Sequence, residues 1–258
     1  MYWGAKITIW MVVVLGLASP AAANAHCANL KIAYSANWVP VSYDLKSKKR
    51  LGIALDIQAE AFSRLRQKIS FHSGLPWSRQ LRMLRAGELD VISAMHSSKA
   101  RLTDFMFSEP FYESVVRIFV KKGRGLEVSK KEDLVGKHGL IPWAASFGQE
   151  FDAFAKDHLQ LTEFREPERF FQLLAAERFD YLVIPEKMGR FFSRKLQMED
   201  MVVPVGPAIT VQKIHLVMSR KSDCKNMLAP FNRMLKEMKA DGTIKRMIAR
   251  NLELAYGK

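Results

Sequence analysis

The sequence predicts an α/β protein of two lobes, each a mainly parallel sheet flanked by helices. Three observations carry that expectation. Short β-like runs alternate with helix-like ones along the chain, one strand and helix unit recurs at an offset of 90 residues, and the length suits two cores better than one.

The first element is a leader. Lys6 supplies positive charge, Ile7 to Leu17 is an apolar run, and Ala23-Asn24-Ala25 is a small-residue cleavage site. The run is well short of the roughly 20 apolar residues that a membrane span requires, and Pro20 follows it. Residues 1–25 therefore read as a secretory signal peptide, with the mature chain starting at His26. Lipid attachment at Cys27 is the competing fate, but His26 stands where lipidation signals carry a small residue. What remains is long enough for two lobes of roughly 100 residues each.

After the leader, strands are expected at Leu30 to Ser35, Ile69 to His72, Val91 to Ala94 and Val115 to Val120. Helices are expected at Ile53 to Arg66 and Ser78 to Ala86. The second half repeats the rhythm, with strands at His138 to Ile141 and Tyr181 to Ile184 and helices at Phe147 to His158 and Glu168 to Ala176. Cys224 to Asn251 reads as helices broken at Asp241-Gly242.

The repeat is visible residue by residue. Leu81, Leu84 and Asp90 in LRMLRAGELDVI match Phe171, Leu174 and Asp180 in FQLLAAERFDYLVI, and Phe71 and Leu161 keep the same offset. Two similar lobes imply a cleft between them.

Composition bounds the chemistry. The chain has 48% hydrophobic residues and a formal charge of +14; Lys6 is the one charged residue of the leader, so the mature chain keeps +13. Lys and Arg are scattered rather than interleaved with aromatics, which argues against nucleic acid, while an anionic ligand or envelope partner suits the charge. The histidines and the two cysteines show no metal-ligand spacing, and no phosphate-binding loop is present, so neither metal nor cofactor is expected and transport energy would come from a separate ATP-hydrolysing subunit. In an oxidising compartment Cys27 and Cys224 are expected to pair, closing a long loop worth on the order of 4 kcal/mol; two free buried thiols are the alternative.

Ligands of open α/β sheets sit beyond the carboxyl ends of strands, which directs attention to His96 and Glu186, again 90 apart. Ser98 is a candidate helix N-cap and Arg101 a donor fork for a carboxylate. Ser146 with Gln149 has capping-box spacing, and the helix it opens offers free amides to an anion. Each has a structural alternative: Ser98 and Ser146 merely cap helices, His96 is a structural hydrogen-bonding group, and Arg101 pairs with Asp104 or Glu109. Trp77 either lines the pocket or packs its helix onto the sheet.

The stretches GIALDIQAEAF, LRAGELDVI, SSKARLTDFMFSEPFY and FNRMLKEMKADGTIKRMI resemble the extracellular solute-binding proteins of family 3 over nearly the whole mature chain. The resemblance implies a type II periplasmic-binding-protein fold and the role of a monomeric periplasmic receptor. Such a receptor captures a small polar, carboxylate-bearing ligand, an amino acid or related, for the membrane permease of an ABC importer. It implies a discontinuous first lobe, 26–119 with 213–258, and a second lobe, 120–212, and it brings Cys27 and Cys224 into one lobe. By the same resemblance Trp38 is the aromatic that stacks on the ligand, Arg101 the carboxylate-binding arginine and Ser146 the hydroxyl at the mouth of the second lobe. The pattern departs at His96, where Ser or Thr is usual, and at Pro185, where the acid that binds an amino group would fall, with Glu186 one place on. An accessory protein of the cell envelope and, less favoured, a dehydratase-like enzyme using His96 or Glu186 as acid or base remain the other readings.

Overall fold

The computed structural model describes residues 27–256 except 46, 48 and 144, together with Met1; the leader expected over 1–25 otherwise lies outside the described residues. The first half runs β1 (Leu30–Ala33), a small antiparallel ribbon of β2 (Asn37–Trp38), β3 (Ser42–Asp44) and β4 (Arg50–Leu51), then α1 (Ile53–Arg64), β5 (Ile69–His72), α2 (Trp77–Ala86), β6 (Val91–His96), α3 (Lys99–Asp104), β7 (Phe105–Phe107) and β8 (Tyr112–Lys121). The second half follows with β9 (His138–Pro142), α4 (Gln149–His158), β10 (Gln160–Phe164), α5 (Pro167–Ala175), β11 (Tyr181–Pro185), α6 (Glu186–Lys195) and β12 (Val202–Ser219). Helices α7 (Leu228–Ala240) and α8 (Thr243–Tyr256) end the chain, broken at Asp241-Gly242 as expected.

One continuous sheet runs β10-β9-β11-β8-β12-β6-β1-β5, with β7 on β12. β1 pairs in parallel with β5 and β6, and β9 in parallel with β10 and β11. Between these parallel cores lie the long antiparallel strands β8 and β12, paired from Val202 opposite Lys121 to Ile214 opposite Tyr112. They join the two parallel groups of strands into one sheet.

Period-two alternation builds three layers in each lobe. In β1 and β6, Ile32 and Val91 face the cluster formed with α1 and α7, while Ala33 and Ile92 face the cluster that holds Leu84 of α2. In β11, Tyr181 and Val183 pack toward Phe151 of α4, whereas Leu182 and Ile184 meet Phe171 of α5 and Phe192 of α6. Covered on both faces, β6 and β11 are buried along their whole length, which is why they are largely apolar, with Ser93 and His96 as the polar exceptions in β6. Val116, Ile118 and Phe119, on the first-lobe side of the expected 119/120 boundary, pack with residues of the second lobe.

The repeat is real at the level of hydrogen bonds. Asp90 Oδ2 accepts from the Lys31 amide at 2.8 Å, and Asp180 Oδ2 accepts from the His138 amide at 2.7 Å. The turns before them match as well. Gly87 and Glu177 both have positive φ, and Glu88 N donates to Met83 O as Arg178 N does to Leu173 O.

Cys27 and Cys224 form a disulfide with S–S 2.03 Å, across 197 residues of chain. The Cys27 sulfur is thereby taken, leaving no thiol for a lipid thioether. Among the described residues no helix is long and apolar enough to cross a membrane.

Candidate ligand-binding cleft

A cavity of about 610 Å³ lies between the lobes. The first lobe contributes the turn after β1 (Tyr34 to Trp38), the start of α2 (Trp77 and Gln80), the end of β6 (His96) and α3 (Arg101). The second contributes Pro142 and Trp143 at the end of β9, Ser146, Arg165 after β10, and Pro185 at the end of β11. These are carboxyl ends of parallel strands, where backbone turns open a crevice that the sheet itself cannot fill.

Five of the sequence-selected residues line this cavity: Trp38, Trp77, His96, Arg101 and Ser146. Trp38 meets the His96 ring edge-on at 5.1 Å and packs against the cores of both lobes, so it forms the floor of the cleft. Trp77 is the first residue of α2; it packs onto the Leu84 cluster and also lines the cavity, so both readings of it hold.

Arg101 is held, not neutralised. Its Nη1 donates to His96 O at 3.0 Å and its guanidinium lies 5.8 Å from the Trp77 ring centre. The expected surface partner Asp104 is bound instead by Arg85 at 2.8 Å, and Arg101 forms no ion pair among the described residues. Burial works against its charge and lowers its pKa, with Asp152 nearby partly offsetting this. A half-buried guanidinium in that condition gains from a ligand carboxylate.

His96 is buried, and desolvation lowers its pKa to about 4, against a hydrogen bond with the Lys213 backbone that raises it and with help from the Arg101 and His215 charges. It is therefore neutral at pH 7, and its Nδ1 has no protein partner. Gln80 is also buried; its Nε2 donates to Leu75 O at 2.8 Å while Oε1 is unpartnered.

Two expectations are corrected, and one residue keeps only a structural role. Ser146 does not form a capping box with Gln149: Gly148 is the N-cap of α4, and the helix starts two residues later than expected. Gly148 adopts φ 102°, and a Cβ there would fall 2.5 Å from Gln212 Nε2, so glycine alone suits the cap. The Ser146 hydroxyl donates to Asp152 Oδ2 at 2.6 Å. Glu186 does not line the cavity. As the first residue of α6 it turns along the helix to Arg190 at 2.8 Å and to Arg117 of β8 at 3.6 Å. Ser98 caps α3, accepting from the Arg101 amide at 3.3 Å, and is not among the lining residues. Of the two residues considered as an acid or base, His96 lines the cavity and Glu186 does not.

Trp143, Arg165 and Gln80 were not selected from the sequence. Arg165 stacks over Trp143 at 4.0 Å, and Trp143 is 52% exposed, an uncovered aromatic on the second-lobe wall. A Trp just past a predicted strand end was the available signal for one of them; the others lie outside every recognisable pattern.

Known proteins share this architecture. An ancestral arginine-binding protein solved with arginine superposes with TM-score 0.74, at 24% identity over 86% of this chain and 97% of that one. A histidine kinase sensor domain with similarity to periplasmic binding proteins gives TM-score 0.74 at 20% identity, covering 86% and 95% of the two chains. At such identities these likenesses establish the fold alone. In sequence, PatH of Vibrio harveyi, which carries the name of an amino-acid ABC transporter-binding protein, is 24% identical over 251 residues, 92% of this chain and 94% of its own. The family pattern of the bacterial extracellular solute-binding proteins, family 3, matches residues 30–253, and the chain belongs to that family.

Proposed function

We propose that the protein is a periplasmic receptor that captures a small carboxylate-bearing solute between its lobes and presents the closed form to the membrane permease of an ABC importer. The observation that carries this reading is Arg101, a half-buried guanidinium without an ion-pair partner, facing a cleft walled by Trp38 and Trp77. The amino-acid binding named for its relatives supports the ligand class. The lobes proposed are 26–119 with 213–258 and 120–212, hinged on β8 and β12.

The mechanism follows from where the walls lie. A ligand touching only Arg101 and Trp77 gains from one lobe, but with Ser146 and Trp143 drawn onto it, it gains from both. It therefore shifts the open and closed populations by its greater affinity for the closed form, and a permease reads that shape.

A thermal-shift screen of the purified protein against amino acids, dicarboxylates, amines and sugars tests this. A true ligand at 100 times its dissociation constant stabilises the native state by about 2.7 kcal/mol. Arg101→Ala is expected to abolish the shift. A screen flat for every carboxylate would sink the receptor reading.

A further inference from the structure

The charge of the cleft is one-sided. Two guanidiniums line it, Arg101 from the first lobe and Arg165 from the second, and among the described residues no Asp or Glu lines it. Three of the carboxylates near the lining residues are committed elsewhere, and Glu166, beside Arg165, is the exposed N-cap of α5 and not a lining residue. Asp152 accepts from Ser146 Oγ at 2.6 Å and from the Phe147 amide at 2.8 Å, Asp44 takes the Tyr34 hydroxyl at 2.6 Å, and Glu186 pairs with Arg190 and Arg117.

An ammonium entering this space meets two positive charges and no carboxylate, and gives up its hydration without a counter-charge. An anion at each end of a small molecule meets a planar donor fork at each wall. Arg165 is already oriented by its stack on exposed Trp143, so less freedom is lost when a ligand docks there.

Resting on the receptor reading above, we infer that the cleft selects a small dicarboxylate without an ammonium group, one carboxylate on Arg101 and the other on Arg165, its body against the tryptophans. Arg165 is then a specificity residue that acts when the second lobe closes. Matched pairs isolate the ammonium: glutarate differs from glutamate, and succinate from aspartate, only in that group.

Isothermal titration of the purified protein with these four compounds and with butyrate tests the inference. Glutarate or succinate is expected to bind at least about tenfold more tightly than its amino counterpart. Arg165→Ala and Arg165→Gln are expected to weaken the dicarboxylate by about tenfold or more while leaving butyrate within about twofold. Arg165 is exposed, so both variants keep the parent's ligand-free melting temperature. Tighter binding of glutamate or aspartate than of its partner overturns the inference and leaves the receptor standing, as does a dicarboxylate affinity indifferent to both Arg165 variants. Binding of none of the five, with a flat thermal-shift screen, overturns both.

Discussion

The His96 ring shows how the cleft charges its own stability. Its folded pKa of about 4 lies below the ordinary 6.5, so as pH falls the unfolded chain takes up the proton first. Stability from this group is complete above about pH 6.5, declines as pH drops toward 4, and is fully lost below that. Between pH 7 and 5 the loss amounts to about 2 kcal/mol. His215, also lowered by burial, acts with the same sign, so the comparison must be with a His96→Asn variant that retains it. Urea unfolding at the two pH values is expected to show a smaller loss in the variant; equal losses would remove His96 from the account. At this scale the sequence was informative where a residue belonged to a patterned stretch: Trp38, Trp77, His96, Arg101 and Ser146 all line the cavity. Glu186 was misread because it shares an offset with His96 but not a chain direction. β6 continues to His96, whereas β11 stops at Pro185 and turns into α6, carrying the carboxylate toward Arg190.

Among the elements, the duplicated unit rests on two aspartates that clip neighbouring parallel strands. Removing either hands an exposed backbone amide back to water, a net cost of about 0.5–1.5 kcal/mol. Asp90→Ala and Asp180→Ala are each expected to destabilise by that amount in denaturant melts, and the Asn variants by less, since an amide oxygen still accepts. A negligible effect of both Ala variants would show the shared geometry to be incidental. This repeat was legible because a strand, helix and turn of fixed length preserve their spacing. The ribbon β2 to β4, strands β7 and β10 and helix α6 were not, because short elements held by tertiary pairing carry too few residues for a period to emerge, whereas short α3 was announced by its cap Ser98. The start of α4 was misplaced by two residues for a local reason: the chain enters the helix through a positive φ at Gly148, which favours glycine as the cap.

For the whole molecule, a disulfide joins Cys27, just before β1, to Cys224 in the segment leading into α7. Closing so long a loop restricts the unfolded chain by an amount on the order of 4 kcal/mol. A Cys27→Ser, Cys224→Ser double variant is expected to melt well below the parent and still to bind ligand at low temperature, because neither sulfur lies in the cleft; unchanged melting would contradict the loop-closure argument. The bilobal architecture was legible from rhythm and repeat, while the reach of β12 across both lobes was hidden, since Pro204 and Gly206-Pro207 interrupt its pattern. The central claim is capture between two lobes, and small-angle X-ray scattering of the purified protein with and without its best ligand tests it most directly. At saturation the parent is expected to show a smaller radius of gyration, and Arg101→Ala no change. Saturating binding with no contraction of the parent would contradict that claim.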